Sequence, residues 1–328
     1  MRSPARVANG LAPRFPGTIG RSACARTTVV LSGSICALAT PLCARDDALD
    51  LGAYARLIEH QLAGGTRALV AAGSTGEAAA LDEAEYSALV ECAAVRVSGR
   101  VPLLAGSGLS GTRRTIAQTR RAAAAGADAA LVVTPPYVRP TQEGLYRHFC
   151  EVAEHGGLPV VLYNVPSRTS CDLQPETVAR LARHGRIVGI KEALPDPRRM
   201  DALLPLRSVA FSVLSGDDPT ASRAMLAGAD GVVSVAANVA PHLFSRLCEA
   251  CAHGDTRGAA GLDLRLQDLY ALLGAEPNPI PVKWCLAQLG LGEAFVRLPL
   301  VEFPDTHHAH GVQVLDRLGL VEPPPAVG

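Results

Sequence analysis

Of the 31 basic side chains in this 328-residue chain, 29 are arginine, and the only lysines are Lys191 and Lys283. A sequence that uses arginine wherever a generic cation suffices retains lysine for what arginine cannot do. A guanidinium stays protonated at accessible pH, whereas an amine can shed its proton, and only the neutral amine attacks a carbonyl. Lys191 follows the apolar run Ile187-Val188-Gly189-Ile190, which points it into the mouth of a sheet or barrel. Its chemistry would then be capture of a keto acid as a Schiff base. The competing reading is a structural ion pair with Glu192 or an aspartate. Lys283, within Pro279-Ile280-Pro281-Val282-Lys283-Trp284, fits a structural or interface role.

A Schiff-base lysine needs a proton shuttle and a grip on the substrate carboxylate. Tyr163 ends a neighbouring apolar run and can relay protons through its hydroxyl, with Ser74 and Tyr137 placed to extend that relay. The turn Gly73-Ser74-Thr75-Gly76 offers backbone N–H groups and two hydroxyls near a helix start, which suits a small carboxylate. Singly these signals are weak; together with a rare lysine they define a site.

The elements that must position these residues are legible as eight short apolar runs. They begin at Ile35, Ala68, Val101, Ala129, Pro159, Ile187, Phe211 and Val232. The runs are continuously hydrophobic, as expected of parallel strands covered on both faces. Helical patterns lie between them. Tyr54, Leu57, Ile58 and Leu62 share a face ahead of Gly64-Gly65, which are expected to stop that helix through a left-handed cap. Asp82 and Glu85 have capping-box spacing, and Pro175 suits a first helical turn. The prediction is an α/β fold, a (β/α)8 TIM barrel with a C-terminal helical extension. Residues 1–29 are expected to be a leader, either a disordered tail or a stretch ahead of the true start. Residues 30–240 form the barrel and residues 241–328 the helical region. Such barrels carry their chemistry at the C-terminal ends of the strands, where Ser74, Tyr137, Tyr163 and Lys191 all fall.

Composition removes other classes. Thirty-one acidic groups balance the basic ones, so the excess positive charge of a general nucleic-acid binder is missing. A charged fraction of 19% with 48% hydrophobic residues excludes a largely disordered chain. No apolar run reaches the roughly 18 residues that span a bilayer, so neither nucleic acid nor membrane is an expected partner. The nine cysteines are scattered and read as reduced thiols of a cytoplasmic protein. Cys248 and Cys251 follow helical packing rather than zinc spacing, and His307, His308 and His310 read as a solvated loop. No metal or cofactor is expected. An H-x-H that a metal-dependent barrel hydrolase would carry is absent from Ala37–Thr40, and Asp217 and Asp218 would oppose a phosphate near strand seven.

In order along the chain stand GSTGEAAAL, VTPPYVRPTQEGLYRHF, YNVPSRTSCDL, GIKEA, SGDD, GADGVVSVAANVAP and EPNPIPVKW. With these motifs the chain resembles the dihydrodipicolinate synthase family, within the Schiff-base pyruvate aldolase and N-acetylneuraminate lyase superfamily, from about Ser32 to Leu320. The resemblance implies that pyruvate and L-aspartate 4-semialdehyde are the substrates, with Lys191 as Schiff base and Tyr163 as proton donor and acceptor. Ser74 and Tyr137 match the relay, the Tyr137 hydroxyl crossing from a neighbouring subunit of a homo-oligomer, a dimer or tetramer. Thr75 and the Val233 backbone match positions that hold pyruvate, and Arg168 matches the arginine that grips the aldehyde's carboxylate. Ser74 departs from the family's usual threonine, and a Ser-Thr pair also suits the sugar-acid aldolase branch, whose substrates are N-acetylneuraminate or 2-keto-3-deoxygluconate. Arg168 favours the synthase. Positions matching the lysine-inhibition cleft are Tyr86, Ser110, Arg114 and Pro136, which predicts weak or absent inhibition by lysine.

Overall fold

A computed structural model of the chain describes residues 29–321, so the expected leader lies almost wholly outside the described residues. Eight parallel strands close into a barrel in sequence order: β1 (Gly33–Ala37), β2 (Ala68–Ala71), β3 (Leu103–Gly106), β4 (Ala129–Val133), β5 (Val160–Asn164), β6 (Ile187–Glu192), β7 (Ser212–Ser215) and β8 (Gly231–Ser234). β8 pairs with β1, Ile35 against Val233, and leaves no free edge in the sheet. Alternation splits each apolar run into two sets. Ile35, Val70, Leu104, Leu131, Val161, Leu214 and Val233 pack inside the barrel, while Cys36, Leu69, Leu103, Val132, Leu162 and Val213 face the helices. Nearly every strand position is therefore buried, the partly exposed exceptions being Gly33, Gly106, Val133 and Val188, which is why the runs read as unbroken hydrophobic segments.

The covering helices are α1 (Leu51–Ala63), α2 (Glu83–Val97), α3 (Thr112–Ala124), α4 (Gln142–His155), the single turn α5 (Pro166–Thr169), α6 (Pro175–Leu181), α7 (Pro197–Leu203), α8 (Ala221–Leu226) and α9 (Pro241–Ala252). Asp50 caps α1 through Ala53 N–H, and Tyr54, Leu57 and Ile58 are buried beneath it. Of the two glycines after this helix, Gly64 is right-handed and only Gly65 carries the left-handed conformation. Both halves of the Asp82–Glu85 capping box form at α2, and Pro175 opens α6. α9 packs on β1, α1 and α8, in the place of the barrel's eighth helix. Its Leu247, Cys248 and Cys251 are buried as packing residues.

Beyond α9 lie α10 (Thr256–Leu273), α11 (Ile280–Gln288) and α12 (His308–Arg317). The histidine tract is not the expected solvated loop. His308 begins α12, stacks on Trp284 at 5.1 Å and hydrogen-bonds the Phe303 carbonyl through Nε2 at 3.0 Å, while His307 stacks on Phe303. These aromatic contacts supply the apolar surface that orders the tract. Among the described residues there is no cluster of three potential metal ligands, and no helix is long and apolar enough to cross a membrane.

Candidate active site

Lys191 and Tyr163 are register partners on β6 and β5. Both side chains point into the barrel, and the Lys191 Nζ sits 4.3 Å from the centroid of the Tyr163 ring. Lys191 is only 4% exposed, yet the sole lysine ion pair among the described residues belongs to Lys283. The ion pair between Lys191 and Glu192 that the sequence left open does not form. Adjacent strand residues face opposite sides, and Glu192 turns outward, where it accepts hydrogen bonds from Asn164. Gly216, just after β7, leaves room for the lysine stem: a Cβ there would come within 2.8 Å of Lys191 Cε.

The loop after β2 brings Thr75 to the same rim. Thr75 is buried, and its Oγ1 accepts from the Asn278 side-chain amide at 3.0 Å. The turn is held from both sides, since Thr40 Oγ1 donates to the Gly76 carbonyl at 2.8 Å and Glu77 anchors its far end. Glu77 Oε1 meets Lys283 Nζ at 2.5 Å, and Oε2 accepts Arg297 N–H at 3.0 Å. Burial pushes Lys283 below the ordinary lysine value, against the upward pull of Glu77. Lys283 thus takes the structural role its sequence context suggested. Ser74, beside Thr75, is exposed.

Arg168 stands on α5, exposed, with its Nη2 donating to the Asn278 carbonyl at 3.2 Å. Val233 lies in the barrel interior on β8. Tyr137, on the loop after β4, is 92% exposed with φ 74°. Within one chain its side chain is therefore turned to solvent rather than packed with Lys191 and Tyr163. Asp217 and Asp218 are engaged locally. Asp218 Oδ2 accepts from Val235 and Ala236 N–H, and Asp217 Oδ2 from Thr220 Oγ1. The N–H groups after β8 that a phosphate-binding barrel would offer already hold a carboxylate.

Two contributors escape a reading of the sequence. Asn278 links Thr75 and Arg168, but it lies more than 100 residues from Arg168. Its motif, EPNPIPVKW, marks the segment without saying which atom reaches the barrel. Gly216 lies within the SGDD motif, but only the neighbouring strand reveals which side chain fills the space above it.

Fold and site define the class: a (β/α)8-barrel enzyme built round one inward lysine at the C-terminal end of its sixth strand, as in pyruvate-dependent lyases that work through a Schiff base. The model of the dihydrodipicolinate synthetase family matches residues 30–317. The 4-hydroxy-tetrahydrodipicolinate synthase of Xanthomonas axonopodis pv. citri is 59% identical over 277 residues, 84% of this chain and 91% of that one. The synthase of Legionella pneumophila subsp. pneumophila is 44% identical over 292 residues, 89% of this chain and 100% of its own. Among solved structures, the chloride-inhibited dihydrodipicolinate synthase of Acinetobacter baumannii, complexed with pyruvate, superposes with a TM-score of 0.86 at 41% identity, covering 89% of this chain and 100% of that one. The chain belongs to the dihydrodipicolinate synthetase family.

Proposed function

We propose that this chain is a pyruvate-dependent lyase that condenses pyruvate with L-aspartate 4-semialdehyde to (2S,4S)-4-hydroxy-2,3,4,5-tetrahydrodipicolinate, the entry to lysine and diaminopimelate synthesis. The observation that carries the reading is Lys191 itself, buried, without a carboxylate partner among the described residues and set against Tyr163. Neutral Lys191 attacks the ketone carbon, and the carbinolamine loses water to give an imine. Loss of a methyl proton yields an enamine, whose carbon adds to the aldehyde. Tyr163 receives and returns the protons that these steps release and consume, with Ser74 and the Tyr137 of a neighbouring copy extending its reach. Cyclisation onto the amine of the second substrate frees Lys191.

In this scheme Thr75 and the Val233 backbone hold the pyruvate carboxylate, and Arg168 receives the carboxylate of the aldehyde. Asn278 keeps Thr75 and Arg168 in mutual register from the C-terminal region. The relatives support the synthase rather than the sugar-acid aldolase that the Ser74-Thr75 pair left open. With Tyr137 exposed in the single chain and free to serve a neighbouring copy, the working unit on this reading is a homo-oligomer, at least a dimer and by the family's pattern a tetramer, and its compartment is the cytoplasm.

Lysine is a poor inhibitor on this reading. Tyr86 is buried and its hydroxyl is committed to the Gly106 carbonyl at 2.9 Å, Arg114 places a positive charge where a cationic ligand would sit, and Pro136 has no hydroxyl. Borohydride reduction in the presence of pyruvate tests the whole scheme: a covalent adduct on Lys191 is expected. Active enzyme that yields no adduct would overturn it. Turnover of aspartate 4-semialdehyde, compared with N-acetylneuraminate and 2-keto-3-deoxygluconate, separates the two branches.

A further inference from the structure

β6 is not a regular strand. Ile187 pairs with Val160, but the next rung joins Val161 to Gly189, so Val188 is an extra residue in the ladder. Ile187 and Ile190 both face the helices although they are three apart. Without this bulge, the two-residue period running from Ile187 would turn position 191 toward the helices and position 192 into the barrel. The irregularity is what delivers Lys191, and not Glu192, to the interior.

A bulge leaves register weakly specified unless something beyond it fixes the pairing. One step past the Tyr163–Lys191 rung, Asn164 pairs with Glu192. Both side chains are buried on the outer face, Glu192 only 1% exposed. Asn164 Nδ2 donates to the two Glu192 oxygens at 3.0 and 3.2 Å and to Asp172 Oδ1 at 2.9 Å, and its Oδ1 accepts Leu173 N–H at 2.9 Å. Glu192 Oε1 also accepts Leu194 N–H at 2.8 Å. Asp172 is held in turn by Arg199 Nη2 at 2.6 Å. The network therefore joins β5, β6, α7 and the segment that follows Arg168.

We propose that Asn164 and Glu192 are positioning residues, whose clasp holds β6 in the shifted register that sets Lys191 beside Tyr163. The inference rests on the reading of Lys191 and Tyr163 as the reacting pair. A carboxylate at this outward position is unfavourable for stability alone, since its neighbours on that face, Leu162 and Ile190, are apolar and burial raises the pKa of Glu192 to about 7. An apolar residue there would avoid burying a carboxylate but would neither clasp Asn164 nor accept Leu194 N–H.

The test uses full-length E192L, E192Q, N164A and E192L/N164A. Folded sites are counted by circular dichroism, and kcat with aspartate 4-semialdehyde is expressed per folded site, with borohydride trapping of pyruvate on Lys191 as the check on the underlying chemistry. Loss of folded protein lowers the count; misplacement of the lysine lowers kcat per site. E192L and N164A should each lose about tenfold or more in kcat per site, with E192Q, which keeps one acceptor, within about threefold of the parent. The double variant should be no worse than the poorer single one, because both substitutions open the same clasp. Per-site kcat within twofold of the parent in E192L or N164A overturns the proposal, as does an additive double variant or outright loss of the folded barrel. Wild-type enzyme that traps no pyruvate condemns the underlying reading instead.

Discussion

Gly216 and Lys191 share one volume: a Cβ on Gly216 would lie 2.8 Å from the lysine Cε and 2.9 Å from its Cγ. Real Cβ atoms do not approach carbon so closely, so any other residue at 216 must move the lysine stem. G216A is expected to keep the barrel folded, because the stem can swing toward the open mouth. Its kcat should fall by about 100-fold, the scale of effect of a misplacement near 1 Å. Steady-state kinetics beside a thermal melt checks both halves, and a G216A enzyme with normal kcat would show that the lysine has slack to spare.

Asn278 reaches both residues proposed to hold substrate, through its side chain to Thr75 and through its carbonyl to Arg168. N278A removes only the first link. KM for pyruvate should therefore rise by about tenfold, the equivalent of one hydrogen bond of roughly 1.4 kcal/mol. KM for the aldehyde should move less, since the backbone carbonyl remains. Measuring both constants distinguishes this from general damage, which would shift them together or lower kcat.

The contact between Lys283 and Glu77 is buried on both sides. Removing one partner leaves an uncompensated charge, so K283M should lower unfolding free energy by about 3–5 kcal/mol. K283M/E77Q should recover part of that loss, because glutamine removes the charge and still offers an acceptor to Arg297 N–H. Denaturant titration of the four members of this cycle gives the coupling directly. Since Glu77 closes the loop that carries Thr75, K283M should also weaken pyruvate binding before the protein melts.

Much of this was readable in the sequence for a plain physical reason. Strands dry on both faces produce unbroken apolar runs, and Asp82, Glu85 and Pro175 are local signals that act on their own helix. Lys191 stood out because no other lysine lies in the barrel. What could not be read depends on partners distant in sequence. The run Ile187–Glu192 looks regular until β5 is laid beside it and Val188 bulges out. The His307–His310 segment looks solvated until Trp284, on the separate helix α11, is laid against His308. Asn278 carries no mark of the two contacts it makes.

Lysine should leave activity at its lysine-free level at concentrations up to the millimolar range. The buried Tyr86 cannot turn its hydroxyl to a ligand without breaking its bond to Gly106 and repacking the face of α2 against the barrel. R114E alone should not create sensitivity, because Pro136 still lacks a hydroxyl. A clear submillimolar inhibition curve in the parent enzyme would contradict this reading of the cleft.

His148 gives the pH dependence of stability a defined sign. It is buried on α4, with Nδ1 paired to Thr112 Oγ1 at 2.9 Å and Nε2 without a hydrogen-bond partner among the described residues. Burial disfavours the imidazolium and lowers its pKa from 6.5 to about 4. Between those values the unfolded chain binds more protons than the folded one, so stability falls as pH drops through this window and levels off below it. From pH 7 to pH 5 this group alone should remove about 2 kcal/mol. H148N cannot take up the proton, so its unfolding free energy should decline less over the same interval. Urea titrations of both proteins at pH 7 and pH 5 provide the comparison, and equal losses in the two would place the acid sensitivity elsewhere.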